Sequence, residues 1–207
     1  RTELDCVLID TEGGAMQAVE HLVALGHERI GFISGPLDTT PGRGRHQGYL
    51  AVSEAAGLEL EPGLTQMGDF KRESGYQATL RLLGLPRPPT AIFAANNLMS
   101  IGALQALHHM GVRVPQQLSF IGFDDLELGE LLSPPLTAVS RPMAEQGVLA
   151  MRLLANRIDR ASDPEPRNIV LETRLVTRRS CGPPPNAEPA PRSSVLQGAR
   201  PQGKDTS

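Results

Sequence analysis

Cysteine and aromatic residues are scarce in this sequence. Its 207 residues include 2 Cys, no Trp, 2 Tyr and 5 Phe. Cys6 and Cys181 lie near opposite ends of the chain, and neither belongs to a CxxC pair or a Cys/His cluster. The sequence therefore indicates neither a disulfide framework nor a metal site. We expect both thiols to be free in a reducing compartment, and we predict a cytoplasmic protein that binds no metal.

Excess positive charge and long apolar runs are also missing. The formal net charge is −3, and no basic stripe of the kind that holds nucleic acid is present in the sequence. The apolar runs are too short to span a membrane, and the first residues lack the basic and apolar regions of a signal peptide. Because Arg1 is no initiator and a buried-looking strand begins within five residues of it, we expect the chain to be a fragment.

Motifs of catalysis and cofactor binding are absent as well. The chain has no GxSxG, GxxxxGK[ST] or HExxH sequence, and Gly42, Gly44 and Gly48 miss the spacing of a dinucleotide-binding loop by one residue. We therefore predict neither an enzyme nor a bound cofactor. His21 and His27 stand alone, on a polar helix face and in a turn, so we expect both side chains to be solvated.

The most informative stretch lies between residues 88 and 125, where two short apolar runs flank a longer segment. The runs at 91–95 and 118–123 predict strands, and apolar residues at helical spacing between them predict a well-buried helix. Asn96 and Asn97 suit the start of that helix because their side chains accept hydrogen bonds from first-turn amides. The stretch therefore predicts a strand, a crossover helix and a parallel strand.

Four polar side chains follow the carboxyl ends of those two strands. Asn96, Asn97, Asp124 and Asp125 all fall at one edge of the sheet if the crossover is right-handed. Open α/β sheets bind ligands at that edge, so we predict these residues as candidate ligand contacts. The alternative is structural: the asparagines cap the helix and the aspartates close a turn. The residues alone leave both interpretations open.

Further strands and helices alternate along the chain. Apolar runs predict strands at 7–10, 30–34, 64–68 and 168–176, and helical spacing predicts helices at 13–26, 73–84 and 143–160, with another marked by Tyr49, Val52 and Ala56. This order predicts the α/β class with a doubly wound parallel sheet, whose first unit joins strand 7–10 through a helix to strand 30–34. The proline- and glycine-rich segment 181–207 has little to bury, and we predict that it is disordered.

Two arginines and one phenylalanine also stand at predicted loop positions. Arg43 and Arg45 lie where a loop enters a helix, so their guanidinium groups suit contacts with hydroxyls, a carboxylate or a phosphate. A solvated basic turn is the alternative, and it fits Arg43 better than Arg45. Phe70 follows a strand, where its ring either stacks on a ligand or packs the loop.

Taken together, several stretches resemble the effector-binding region of the LacI/GalR family of bacterial transcriptional regulators. The matching stretches are VEHLVALGHERIGFISGPL, RGRHQGY, GDFKRESGY, PPTAIFAANNLMSIGALQAL, GVRVPQQLSFIGFDD, SPPLTAV and LVTRRS. They occur in the family's order over about residues 7–180. The nearest similarity is to the purine and lac repressor types.

The resemblance implies a two-lobed, periplasmic-binding-protein-like fold whose cleft binds a small sugar or nucleobase-like effector. In the family, a helix-turn-helix headpiece reads operator DNA as a dimer. This chain would then be mainly the second lobe, with residues 1–180 as the effector-binding domain and helix 142–160 crossing to a first lobe that precedes it. Residues 181–207 would be the disordered tail.

The resemblance also implies roles for particular residues. Arg45 matches the family's ligand-gripping arginine, Asp124 its acceptor for ligand hydroxyl or N–H groups, and Phe70 an aromatic that stacks on the effector. Asn96 is retained, whereas Asn97 replaces an aspartate, and Thr39 and Pro41 depart from the purine-type pattern, which favours a sugar or related polyol. The turn after FDD pairs subunits in the family, which implies a homodimer contact at Leu128, Leu131 and Leu132.

The sequence thus predicts a ligand-responsive transcriptional repressor without a membrane partner, in which an effector shifts the balance between two lobe arrangements. The alternative is a periplasmic solute-binding protein of a sugar transport system, which shares the fold. The LVTRRS and GVRVPQQLSFIGFDD stretches favour the regulator.

Overall fold

The structure, a computed structural model, describes residues 4–125, 129–159 and 165–185. Within those ranges no helix is both long enough and apolar enough to cross a lipid bilayer. Strands and helices alternate along most of the chain. The elements are β1 (Cys6–Ile9), α1 (Thr11–Ala24), β2 (Ile30–Ser34), α2 (Thr40–Ala55), β3 (Thr65–Met67), α3 (Arg72–Leu83), β4 (Ala91–Ala94), α4 (Asn97–His109), β5 (Ser119–Phe123), β6 (Thr137–Ser140), α5 (Met143–Asp159), β7 (Asn168–Leu171) and β8 (Arg174–Val176).

Six of the strands form one sheet in the order β3-β2-β4-β5-β6-β8. The neighbours from β3 to β6 are parallel, and only β8 runs antiparallel, at the edge beside β6. The chain moves from β2 outward to β3 and then back across to β4, so the helices divide between the two faces. Accordingly α1 packs on α2 and α3 packs on α4. The predicted doubly wound α/β fold is confirmed.

The core lies between this sheet and its helices. All residues of β2, β4 and β5 are buried. The Phe32 ring stacks between Tyr49 of α2 and Phe93 of β4, with centroid distances of 4.7 and 5.1 Å. The central strands read as continuous apolar runs because helices cover both of their faces.

The remaining strands form a separate region with α5. β1 pairs in parallel with β7, from Cys6 opposite Asn168 to Ile9 opposite Leu171, and α5 packs against β1. We call β1, β7 and α5 the small unit. The prediction that β1 belongs to one unit with β2 is wrong, because its pairing partner lies about 160 residues farther along the chain. The single strand predicted at 168–176 is also wrong, because β7 and β8 belong to different sheets.

The segment before and within β6 differs from its prediction too. Residues 129–136, which include the two described leucines of the predicted subunit contact, contain no helix. β6 itself was not predicted, although it is hydrogen-bonded on both sides. Leu131 and Leu132 are exposed, which leaves the subunit contact as a prediction, and Leu128 lies outside the described residues.

His27 is buried, contrary to the prediction that it is solvated. Its Nδ1 lies 2.8 Å from Thr90 Oγ1, and its Nε2 lies 3.0 Å from Ser119 Oγ and 2.9 Å from the Gly182 carbonyl. Burial lowers the pKa of His27 below its usual value. The neutral ring therefore joins the starts of β4 and β5 to the segment after β8, a role that a lone histidine in a turn does not disclose.

Candidate ligand-binding site

The site lies at the carboxyl edge of the large sheet, where the five parallel strands β2 to β6 all end. Each strand is followed within a few residues by a polar or aromatic side chain of the site. These residues are Thr39 after β2, Phe70 after β3, Asn96 and Asn97 after β4, Asp124 after β5 and Arg141 after β6. The chain's topology thus gathers residues that are far apart in sequence.

Arg45 projects into this edge from the second turn of α2 and is 4% exposed. Its Nη1 donates to the Ala95 carbonyl at the end of β4, and its guanidinium lies 3.9 Å from the ring centroid of Phe123. The pKa of Arg45 is lowered to about 10, chiefly by burial; the Asp124 carboxylate opposes this shift, and the positive charge of Arg141 adds to it. The cation is therefore held by a carbonyl, an aromatic face and one carboxylate.

Asp124 stands between two arginines. Its Oδ1 lies 3.8 Å from Arg45 Nη2 and is in close ionic contact with Arg141 Nε. Neither contact is aligned as a hydrogen bond, so Asp124 Oδ1, Arg141 Nε and Arg45 Nε have no hydrogen-bond partner among the described residues. Arg141 Nε and Asp124 Oδ1 are therefore held together by charge alone, and none of the three atoms is exposed to solvent.

The backbone is strained at Phe70 and Asp124. They are the two non-glycine residues of the described chain with positive φ, 64° and 69°. Asp tolerates this conformation, whereas a bulky aromatic rarely adopts it. Asn96 Nδ2 donates to the Phe70 carbonyl at 2.9 Å, and the ring lies where a Cβ on Gly35 would be, 2.0 Å from its Cε1. Backbone strain of this kind is frequent at ligand-binding sites, and it supports Phe70 and Asp124 as candidate ligand contacts.

Asn96, Asn97 and Thr39 serve first as helix caps. Asn96 Oδ1 accepts from the Met99 amide at 2.9 Å, and Thr39 Oγ1 accepts from the Gly42 amide at 3.1 Å and donates to the Pro36 carbonyl at 2.7 Å. Asn97 Oδ1 accepts from the next amide at 2.8 Å and is partly exposed. Capping thus engages Asn96 Oδ1 and Thr39 Oγ1, and the roles of these three residues as ligand contacts stay predictions.

Asp125 has a structural role. Both of its carboxylate oxygens accept from Arg178, at 2.7 and 2.8 Å. Arg178 Nη1 also donates to the Leu136 carbonyl at 2.7 Å. This pair ties the end of β5 to the segment after β8. Of the acidic residues that follow, Glu130 is exposed, and Glu127 lies outside the described residues.

A cavity of about 440 Å³ adjoins this edge. Arg45 and Arg141 border it on one side, and residues of β1 and the start of α1 border it on the other. A larger groove of about 740 Å³ lies at the opposite, amino edge, beside the end of α4 and the loops before β5 and β6. The smaller cavity is the one that adjoins the arginines, and its volume suits a small molecule.

Sequence reasoning missed Arg141 and Arg178. Arg141 immediately follows β6, and recognising that strand would have placed it at the carboxyl edge with Asp124. Arg178 contacts a residue 53 positions away, and no local pattern predicts that pair. Arg43, in contrast, is exposed as expected, and its Nε donates to the Leu37 carbonyl at 3.3 Å.

A model of the periplasmic binding protein-like domain matches residues 19–181. Among curated proteins, the ribose operon repressor of Escherichia coli K12 is 42% identical over 145 residues, which cover 70% of this chain and 44% of the repressor. The HTH-type transcriptional repressor PurR of Escherichia coli O139:H28 is 37% identical over 176 residues, which cover 85% of this chain and 51% of PurR. The chain thus spans about half the length of these relatives.

Solved structures of transcriptional regulators are also similar to this chain. The transcriptional regulator CelR–cellobiose complex matches with a TM-score of 0.81 and 40% identity, over 86% of this chain and 54% of that one. A LacI family transcriptional regulator from Enterococcus faecium with bound ribose matches with a TM-score of 0.79 and 28% identity, over 86% of this chain and 66% of that one.

Proposed function

Because the chain belongs to the periplasmic binding protein-like domains of the LacI family, we propose that it is the effector-binding region of a transcriptional repressor. Its effector is a small sugar or related polyol, bound at the carboxyl edge of the large sheet. Binding shifts the protein between two conformations with different affinity for operator DNA. The proposal assigns operator contacts to a part of the protein outside this chain.

The observation that supports this proposal is the convergence of Arg45, Asp124 and Arg141 at one strand edge. A guanidinium donates in a fixed fork and a carboxylate accepts, so together they suit the vicinal hydroxyls of a sugar. Phe70 adds a flat apolar face, on which a sugar ring stacks.

The relatives support a sugar over a nucleobase and a regulator over a transport protein. Two of the similar structures are described with cellobiose and with ribose, and both matched curated proteins are repressors. The Thr39 hydroxyl, which follows β2 at the site, donates its proton to the Pro36 carbonyl and accepts from the Gly42 amide. It therefore has no proton left to donate to an acceptor on a base.

The test is calorimetric titration of the full-length protein with the sugar that gives the largest shift in a thermal screen. Asp124→Asn keeps the size of the side chain and tolerates the positive φ, so a loss of affinity reports the missing charge. We expect a loss of roughly 10- to 100-fold, the value of one charged hydrogen bond at about 1.5–3 kcal/mol. Arg45→Lys should weaken binding similarly, because the fork is lost.

Glu54→Ala is the matched control, since Glu54 is exposed near the far end of α2. It should leave affinity unchanged. Wild-type affinity in both Asp124→Asn and Arg45→Lys would remove this edge from the effector site. Because Arg45 also holds the Ala95 carbonyl, its variant is compared at a temperature where circular dichroism shows it folded.

The proposal includes a homodimer whose contact involves the turn at Leu131 and Leu132. Leu131 is 80% exposed, and large exposed apolar side chains beside a charged residue such as Glu130 suit an interface core with a polar rim. Leu132→Glu in the full-length protein should shift sedimentation from dimer to monomer. An unchanged dimer would place the contact elsewhere.

A further inference from the structure

The charge of the inner site is not balanced. Arg45 and Arg141 share one carboxylate, that of Asp124, which leaves one positive charge in excess. Arg45 is almost fully buried and Asp124 is 12% exposed at its side chain. The Arg141 side chain is 25% exposed and carries the accessible part of this charge, which an anion of suitable shape would neutralise.

Neighbouring carboxylates at the same edge are already engaged. Asp125 is bound through both oxygens to Arg178. Asp69, in the loop after β3, is exposed and lies 3.7 Å from Lys71 Nζ. Neither Asp125 nor Asp69 therefore supplies a negative charge that neutralises Arg45 and Arg141.

The cavity wall carries two further acidic residues and one further arginine. Asp10 accepts from the Gly13 amide at 2.8 Å at the start of α1, where the partial positive charge of the helix N-terminus offsets part of the carboxylate charge. Glu12 and Arg43 are exposed and of opposite sign. They therefore cancel approximately, and the excess charge remains on the Arg45–Arg141 pair.

Arg141 is the arginine that can reach a ligand most directly. Its side chain is 25% exposed, against 4% for Arg45, and it borders the cavity. Only its Nε is engaged with Asp124, whereas an arginine fork is suited to hold a carboxylate or phosphate through two parallel bonds.

We propose that the effector is an anionic carbohydrate, carrying a carboxylate or a phosphate, and that Arg141 is the residue that selects it. This inference rests on the proposed function, because it names the ligand class of the same site. The neutral part of the ligand is held by Asp124 and Phe70, and its charged group lies against Arg141. The two anion types share the recognition by a guanidinium fork and differ in charge and geometry.

The experiment compares matched probes by calorimetry with the full-length protein at fixed ionic strength. One set is ribose, ribonate and ribose 5-phosphate, and the other is glucose, glucuronate and glucose 6-phosphate. We expect at least one acid or phosphate to bind 10- to 100-fold tighter than its neutral partner, the value of one charge-assisted bond. Comparing the sugar acids with the sugar phosphates shows whether the site prefers a carboxylate or a phosphate.

Arg141→Gln should reduce that preference to less than about threefold, because the amide keeps hydrogen bonding but not the charge. Arg141→Lys should retain part of it. Arg113→Gln is the control, since Arg113 is exposed beside the groove at the opposite edge, and it should change nothing. A neutral sugar that binds as tightly as its charged partners, or a preference that survives in Arg141→Gln, overturns the inference and leaves the proposed function standing.

If none of these sugars binds, a second measurement tests the anion site by itself. Inorganic phosphate is compared with chloride at equal ionic strength by thermal unfolding. Stabilisation by phosphate in the wild type that is lost in Arg141→Gln supports the anion site and counts against a sugar effector. Equal melting temperatures in the two salts overturn the anion site as well.

Discussion

The large sheet and the small unit are held together in different ways. β2, β4 and β5 are wholly buried between two helix layers. Among the described strands, β1 and β7 pair only with each other, and they show exposed residues at Leu8 and Val170. Along α5, large apolar side chains at Met143, Val148, Met151, Leu154 and Ile158 are between 50 and 73% exposed. Hydrophobic burial therefore stabilises the first region far more than the second.

Polar contacts account for much of what holds the small unit in place. Arg157 Nε donates to Asp5 Oδ2 at 2.8 Å, and Gln146 Nε2 donates to the Val7 carbonyl at 3.0 Å. Hydrogen bonds of this kind contribute modestly because each replaces a bond to water. Apolar strands thus form a buried core where helices cover both of their faces, as they do for β2, β4 and β5.

The largest expected effect comes from the core of the large sheet. Phe93→Ala removes a fully buried ring that stacks on Phe32, and it should lower the free energy of unfolding by about 3–5 kcal/mol. Leu154→Ala, on the exposed face of α5, should change it by less than about 0.5 kcal/mol. Urea unfolding followed by circular dichroism measures both, and equal losses would contradict the contrast between the regions.

Loss of single hydrogen-bonding side chains should show the same contrast on a smaller scale. Asn96→Ala removes the cap of α4 and the bond to the Phe70 carbonyl, which should cost about 1–2 kcal/mol. Gln146→Ala removes one part-buried bond between α5 and β1, and should cost below about 1 kcal/mol. If urea unfolding gives the opposite order, the small unit is more tightly held than its contacts indicate.

Acid should weaken the large sheet through His27. Its folded pKa lies below the usual 6.5 because the ring is buried, so the unfolded chain binds the proton first. The stability that neutral His27 contributes is complete above about pH 6.5 and is lost as pH falls through the lowered pKa. The melting temperature should drop less steeply with acid in His27→Gln than in the wild type. Identical slopes would show that His27 is not the group responsible.

The smallest effect on stability is expected for charges placed on α5. Leu154→Lys with Ile158→Lys lies on the exposed face, so the free energy of unfolding should change by less than about 0.5 kcal/mol. Self-association of the chain should decrease, because an exposed apolar face promotes it. Light scattering of the wild-type chain and the double variant compares them, and a wild-type chain that stays monomeric would show that this face does not associate.

The sequence by itself determined most of the secondary structure and indicated the residues of the candidate site other than Arg141. Buried strands such as Ile30–Ser34 are continuous apolar runs, and α4 begins at its capping asparagine and ends before Gly111, whose φ is +68°. These signals are local, since they depend on side-chain spacing and backbone preference within a few residues. A right-handed crossover then places Asp124 beside the end of β4 without further information.

Only the tertiary structure decided the partners that lie far apart in sequence. His27 reaches Gly182 across 155 positions, and Asp125 reaches Arg178 across 53. The pairing of β1 with β7, and the approach of Arg141 to Asp124 and Arg45, likewise depend on how whole elements pack. Side-chain periodicity specifies which face of an element is buried, but not which distant element covers it, because many apolar surfaces are equally suited to that contact.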